Sequence, residues 1–137
     1  MSNSIKPDEL QKAIQEYLTE YIEDIEEGVE ETTDTLTKEA VQDLKQESPR
    51  GHGTRDKPYY KGWTRQKGKT NKGRYTIKIH NKTNYQLTHL LEFGHATRNG
   101  GRTKAIKHIR PIEEKYNKLY EQTITTVIKR RSKSWKT

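Results

Sequence analysis

The side chains able to do chemistry in this 137-residue chain are few and scattered. Five histidines, His52, His80, His89, His95 and His108, could ligate a metal or move protons. No two stand at the i, i+4 spacing that puts two ligands on one helix face, and with no cysteine there is no thiolate to complete a site. His89 and Glu92, three residues apart, could offer an imidazole and a carboxylate to a metal, but the same spacing suits a surface hydrogen bond. Ser48 precedes Pro49 without the strand-to-helix elbow of a serine nucleophile. Arg102 and His108 superficially resemble the Arg and His pair of some small ribonucleases, which are all-helical. Gly94, Gly100 and Gly101 fit neither a phosphate loop nor a dinucleotide fingerprint. The expectation is no catalytic centre, no metal and no cofactor.

A second group of residues suggests binding. Lys61, Arg65, Lys67, Lys69, Lys72 and Arg74 are interleaved with Tyr59, Tyr60 and Trp63. Cations among aromatic rings suit single-stranded nucleic acid or a phosphate backbone. The same residues are favoured anchors of protein interfaces. Sequence alone leaves both open.

Charge divides the chain. Residues 1–47 hold 4 Lys against 14 Asp or Glu, and residues 48–137 hold 23 Lys or Arg against 5 acids. The overall +8 therefore hides segments of −10 and +18. Three readings follow: the acidic half of one copy pairing with the basic half of another, contact with nucleic acid, or plain solvation.

Leu, Ile, Val and Phe make up 23 residues, or 17% of the chain, below the roughly 20% at which burial struggles against chain entropy. Eight Tyr and two Trp add packing area. A thin core completed by partner subunits is expected, and a large independent enzyme core is excluded. No apolar run approaches the ~20 residues of a membrane span. The opening MSNSIKPDEL lacks the apolar stretch of a secretory signal. These features point to a soluble intracellular product or a particle component made inside a cell.

The elements that must position these residues read as a single α+β domain over residues 1–137, with a long N-terminal helix, a small antiparallel sheet, a short central helix and a C-terminal helix. Pro7-Asp8-Glu9 starts the first helix, and Leu10, Ile14, Tyr17, Tyr21 and Ile25 form its stripe. The stripe continues weakly past Gly28, where a helix could bend or break, to Leu44. This acidic arm, residues 1–47, is either one helix of ~58 Å or two helices folded back on each other. Residues 48–110 hold strands, a short helix and loops. One weak strand spans 59–66, a flexible basic loop spans 67–73, and a clear strand over 74–80 alternates Tyr75, Ile77 and Ile79 with Thr76, Lys78 and His80. A turn at 81–84 caps a helix carrying Leu87, Leu90 and Leu91, which Gly94 closes. A glycine loop spans 98–102. A last helix over 111–130 has the stripe Ile112, Tyr116, Leu119, Thr123 and Val127, followed by a frayed basic tail over 131–137.

The motif Leu90-Leu91-Glu92-Phe93-Gly94-His95, the loop Arg98-Asn99-Gly100-Gly101-Arg102 and the turn His108-Ile109-Arg110-Pro111 together resemble a phage morphogenesis family. This is the head–tail joining, or tail-completion, family of long-tailed phages typified by the tenth gene product of phage HK97. The element order resembles that family over nearly the whole chain, while Arg110 departs from the small or apolar residue more usual there. The resemblance implies a non-catalytic virion protein of the neck, forming a ring, commonly of six copies. Its implied partners are other copies of itself, the tail tube protein, the head-completion (stopper) protein and the double-stranded DNA in the channel, with no membrane. The residues expected to serve assembly are Trp63, Arg65, Lys67, Lys69, His89, Glu92, Phe93, Arg98, Arg102 and His108. Glu92 and His89 are expected to hold the short helix to the glycine loop through Arg98 or Arg102. The flexible segments 64–73 and 94–105 are expected to order only against an adjoining ring. The alternative is a small basic nucleic-acid-binding protein or nuclease using His89, Glu92, Arg102 and His108.

Overall fold

The computed structural model describes residues 6–136. The five residues before them, part of the stretch read as lacking a secretory signal, and Thr137 of the basic tail lie outside the described residues. Helix α1 spans Pro7–Glu47, 41 residues and about 62 Å. Pro7 stands in its first turn with Asp8 and Glu9 beside it, where a fixed φ and negative charge both suit the helix start. A 3-10 turn at Tyr59–Lys61 leads into β1 (Trp63–Lys69), which pairs antiparallel with β2 (Tyr75–Asn81). Helix α2 spans Tyr85–Phe93 and helix α3 spans Ile109–Lys136. The class is α+β, as the element reading expects.

Helix α1 is unbroken at Gly28. A Cβ there would lie 2.6 Å from the Val127 Cγ1 of α3. Gly28 is therefore a notch where two helices approach closely, and packing outweighs the ~1 kcal/mol that glycine costs a helix. Helices α1 and α3 run antiparallel along each other. Tyr116 donates to Asp43 at 2.6 Å near one end, and Tyr17 donates to the Trp135 carbonyl at 2.9 Å near the other. The basic tail is thus helix as far as Lys136, held in place by Trp135 against Tyr17 and Tyr21 (ring centroids 5.1 and 5.6 Å apart).

The strand boundaries shift from those expected. Tyr59 and Tyr60 belong to the 3-10 turn, while Lys67 and Lys69 are paired with Ile77 and Tyr75. The flexible loop shrinks to residues 70–73, closed by the Gly73 N–H on the Thr70 carbonyl at 2.8 Å. Ile77 and Ile79 do share the more buried face of β2. The buried apolar core consists of Ala40, Val41, Leu44, Tyr59, Trp63 and Ile112, with Ile79, Leu87, Leu91, Ile109 and Tyr116 packed around it. This core is as thin as the composition implies, and it sits where α1, the hairpin and the start of α3 meet.

Candidate functional site

The motif residues converge on one buried carboxylate. Glu92 lies on the inner face of α2 and is 4% exposed. Its Oε2 accepts the backbone N–H groups of His108 at 2.9 Å and Ile109 at 3.0 Å, and its Oε1 accepts that of Arg110 at 3.0 Å. The first amides of a helix have no partner within it. The next residue, Pro111, has no N–H to satisfy. Glu92 and Pro111 thus account together for the opening turn of α3, and the helix dipole favours the charge placed there. Burial opposes ionisation of Glu92, but the N–H groups of Ile109, His108 and Arg110 outweigh it and hold the carboxyl below its ordinary range.

His108 is 2% exposed and completes the clasp. Its Nδ1 lies 2.7 Å from the Ile106 carbonyl, which can only accept, and 3.2 Å from Glu92 Oε2. That leaves Nε2, 2.7 Å away, to accept from the Tyr59 hydroxyl. Burial, then the Glu92 charge, push the Tyr59 hydroxyl well above the usual phenol value, so it keeps its proton to donate. Tyr59 meets Trp63 edge-on, and Trp63 Nε1 donates to the Ser48 hydroxyl at 2.7 Å. Ser48 in turn donates to the Leu44 carbonyl at the C-terminal end of α1. Hydrogen bonds and one edge-on ring contact therefore tie α2, α3, the 3-10 turn, β1 and α1 together.

The acidic and basic halves meet in part within the same chain. Asp34 receives Arg65 at 2.6 Å and Lys67 at 3.1 Å from β1. These two cations, with Lys38, hold its carboxyl well below the ordinary range. Asp43 is also lowered, by the Tyr116 hydroxyl and then Lys115. Arg131 reaches Asp24 at 2.7 Å. Arg65 and Lys67, expected at an assembly surface, thus anchor the hairpin to α1, while Lys69 is exposed further along the hairpin.

The remaining expected residues separate from the clasp. His89 is exposed, its ring 4.9 Å from that of Phe93, and Lys107 lies 4.0 Å over the Phe93 ring. Arg98 and Arg102 lie on an exposed arm and contact neither Glu92 nor His89, which corrects the expected bridge. Glu92 is spent on the start of α3. The arm itself is ordered by its backbone: Thr97 N–H bonds the Gly101 carbonyl and Thr103 N–H bonds the His95 carbonyl, both at 2.8 Å. The expectation that 94–105 and 64–73 order only against a neighbouring ring is corrected by these bonds and by the β1–β2 ladder. The residues offered as a nuclease site do not converge either, because Glu92 and His108 are buried and occupied while Arg102 faces outward. Among the described residues no group of three or more His, Asp or Glu could hold a metal ion, and no helix is long and apolar enough to cross a membrane.

Tyr59, Ser48, Asn81 and Asp34 carry much of this arrangement; the sequence offers Tyr59 only as an aromatic ring among cations and Ser48 only as a poor nucleophile, and does not single out Asn81 or Asp34. Asn81, 2% exposed, accepts from the Asn84 N–H at 2.8 Å and donates to the Tyr59 carbonyl at 2.8 Å. The only local signal was its place in the turn before α2.

No curated protein and no solved structure matches the chain. A family model does, described as "Bacteriophage HK97-gp10, putative tail-component", over residues 8–94. The match covers more than half of the 137 residues, from the first turn of α1 through the Glu92 helix to Gly94. The chain belongs to the HK97-gp10-like family of bacteriophage tail components.

Proposed function

We propose that this tail component is the subunit of a closed ring at the neck of a long-tailed phage. The ring caps the head-proximal end of the tail tube, docks the head-completion protein and lets double-stranded DNA pass along its axis. The protein works by assembly and not by catalysis, within the virion, after being made in the host cytoplasm. The observation that carries this reading is a subunit with unlike ends. One end is the acidic first part of α1, exposed from Lys6 to Glu20, and the other is α2 with the cationic arm around Arg98 and Arg102. A ring needs heterologous contacts, one face of a subunit against a different face of the next. Unlike charge gives such a contact a direction.

The experiment is electron microscopy of lysates from the parent phage with this reading frame disrupted. Full heads beside unattached tails of uniform length are expected. Tails of uncontrolled length would make the protein a length terminator, and normal infectious virions would overturn the reading.

A further inference from the structure

Two apolar surfaces remain uncovered among the described residues. On α1, Leu10, Ile14, Leu18 and Ile22 recur on one face and are 48 to 52% exposed. The contacts between the two long helices end at Tyr17 and Trp135, so Leu10 and Ile14 project beyond them. On α2, the outward face carries Tyr85 at 66% and Phe93 at 55% exposure, four residues on either side of His89. The Trp135 and Ile109 ends of α3 are about 39 Å apart, so one copy cannot fold the first surface onto the second.

The charges around these surfaces are opposite. The exposed start of α1 carries Glu9, Glu16, Glu20 and Glu23, none in an ion pair among the described residues. The segment following α2, residues 95–110, holds Arg98, Arg102, Lys104, Lys107 and Arg110 with no acid. Lys107 already stands over the Phe93 ring, so an acidic helix seated there meets both an aromatic anchor and a cation.

We propose that the α1 stripe of one copy docks on the Tyr85–Phe93 face of α2 in a second copy of this chain. The contact is heterologous and can propagate around a ring. It deepens the ring reading and rests on it for closure, yet its test is made on the purified protein. Failure here leaves the phage-disruption result untouched, so the two fail separately.

The test is sedimentation velocity of the full-length chain with two variants, Ile14→Glu combined with Leu18→Glu, and Phe93→Glu. Wild type is expected to form concentration-dependent oligomers that weaken with salt. Each variant alone is expected to be monomeric with wild-type circular dichroism. Mixed in equal amounts, the two should give a species of twice the monomer mass and nothing larger, because each retains one intact face. Should Phe93→Glu lose helicity, Tyr85→Glu tests the same face. A wild type that stays monomeric, oligomers that survive the α2 substitution, or a mixture in which both variants stay monomeric would overturn the proposal.

Discussion

Val127 of α3 occupies the space into which a side chain at Gly28 of α1 would grow, with its Cγ1 2.6 Å from a Cβ built on that glycine. Val is short and stiff, so it cannot swing away as the neighbouring Arg131 can. Gly28→Ala should therefore destabilise the chain by about 1–3 kcal/mol in urea unfolding, despite the ~1 kcal/mol that Ala gains as a helix former. The double variant Gly28→Ala, Val127→Ala should recover part of that loss. A stabilised single variant would show that the helices are free to separate.

Removal of the Glu92 carboxylate leaves three N–H groups, one buried and two part-buried, without a partner. Glu92→Ala is expected to cost about 2–3 kcal/mol and to release the first turn of α3 first. Amide exchange at His108, Ile109 and Arg110 would report it, with faster exchange there than in the hairpin. This replaces the expectation, drawn from the motif alone, that Glu92 holds the short helix to the glycine loop.

The same carboxylate sets part of the acid sensitivity. Its folded-state pKa lies below the ordinary value of about 4.3, as do those of Asp34 and Asp43. Groups shifted this way contribute stability that is fully present above the ordinary carboxylate value and lost as pH falls through the folded value. Stability should therefore be flat above about pH 5 and decline below pH 4. Glu92→Gln should shallow that decline without removing it, because the two aspartates continue to titrate. Chemical denaturation midpoints measured from pH 7 down to pH 3 would check this, and an unchanged slope would rule out Glu92 as a contributor.

Local patterns in the sequence carried the elements well where one residue's neighbours decide its state. The stripe Ile112, Tyr116, Leu119, Thr123 and Val127 is the less exposed face of α3, and Ile77 and Ile79 share one face of β2. Reading failed where a distant partner decides. Gly28 looks like a break until α3 lies across it. Lys67 and Lys69, poor strand formers beside Gly68, extend β1 because β2 offers a ladder and Asp34 a counter-charge. The clasp was half visible: Glu92 stands out beside His89 and His108 beside Arg102, but a separation of 16 residues hides that the carboxylate reaches the α3 backbone and not the arginines. Tyr59 stands out only as a ring among cations, and nothing local shows that its hydroxyl finds His108 across 49 residues.

Trp135 shows how the far end of the helix pair bears on assembly. Its indole Nε1 donates to Asp24 at 2.9 Å, and its ring meets Tyr17 and Tyr21 edge-on, close to the point where α1 loses its neighbour. Isolated helices of about 12–15 residues are marginal in water, so the exposed start of α1 depends on this contact for its order. Trp135→Ala should remove about 2–4 kcal/mol of local packing and let the residues before Tyr21 fray. The expected readouts are faster amide exchange confined to the first four turns of α1 and a smaller helical circular dichroism signal. If the α1 stripe makes the contact between copies, the same variant should also weaken self-association, although Trp135 itself lies outside that surface. Fraying with undiminished oligomers would separate helix order from assembly and place the contact elsewhere.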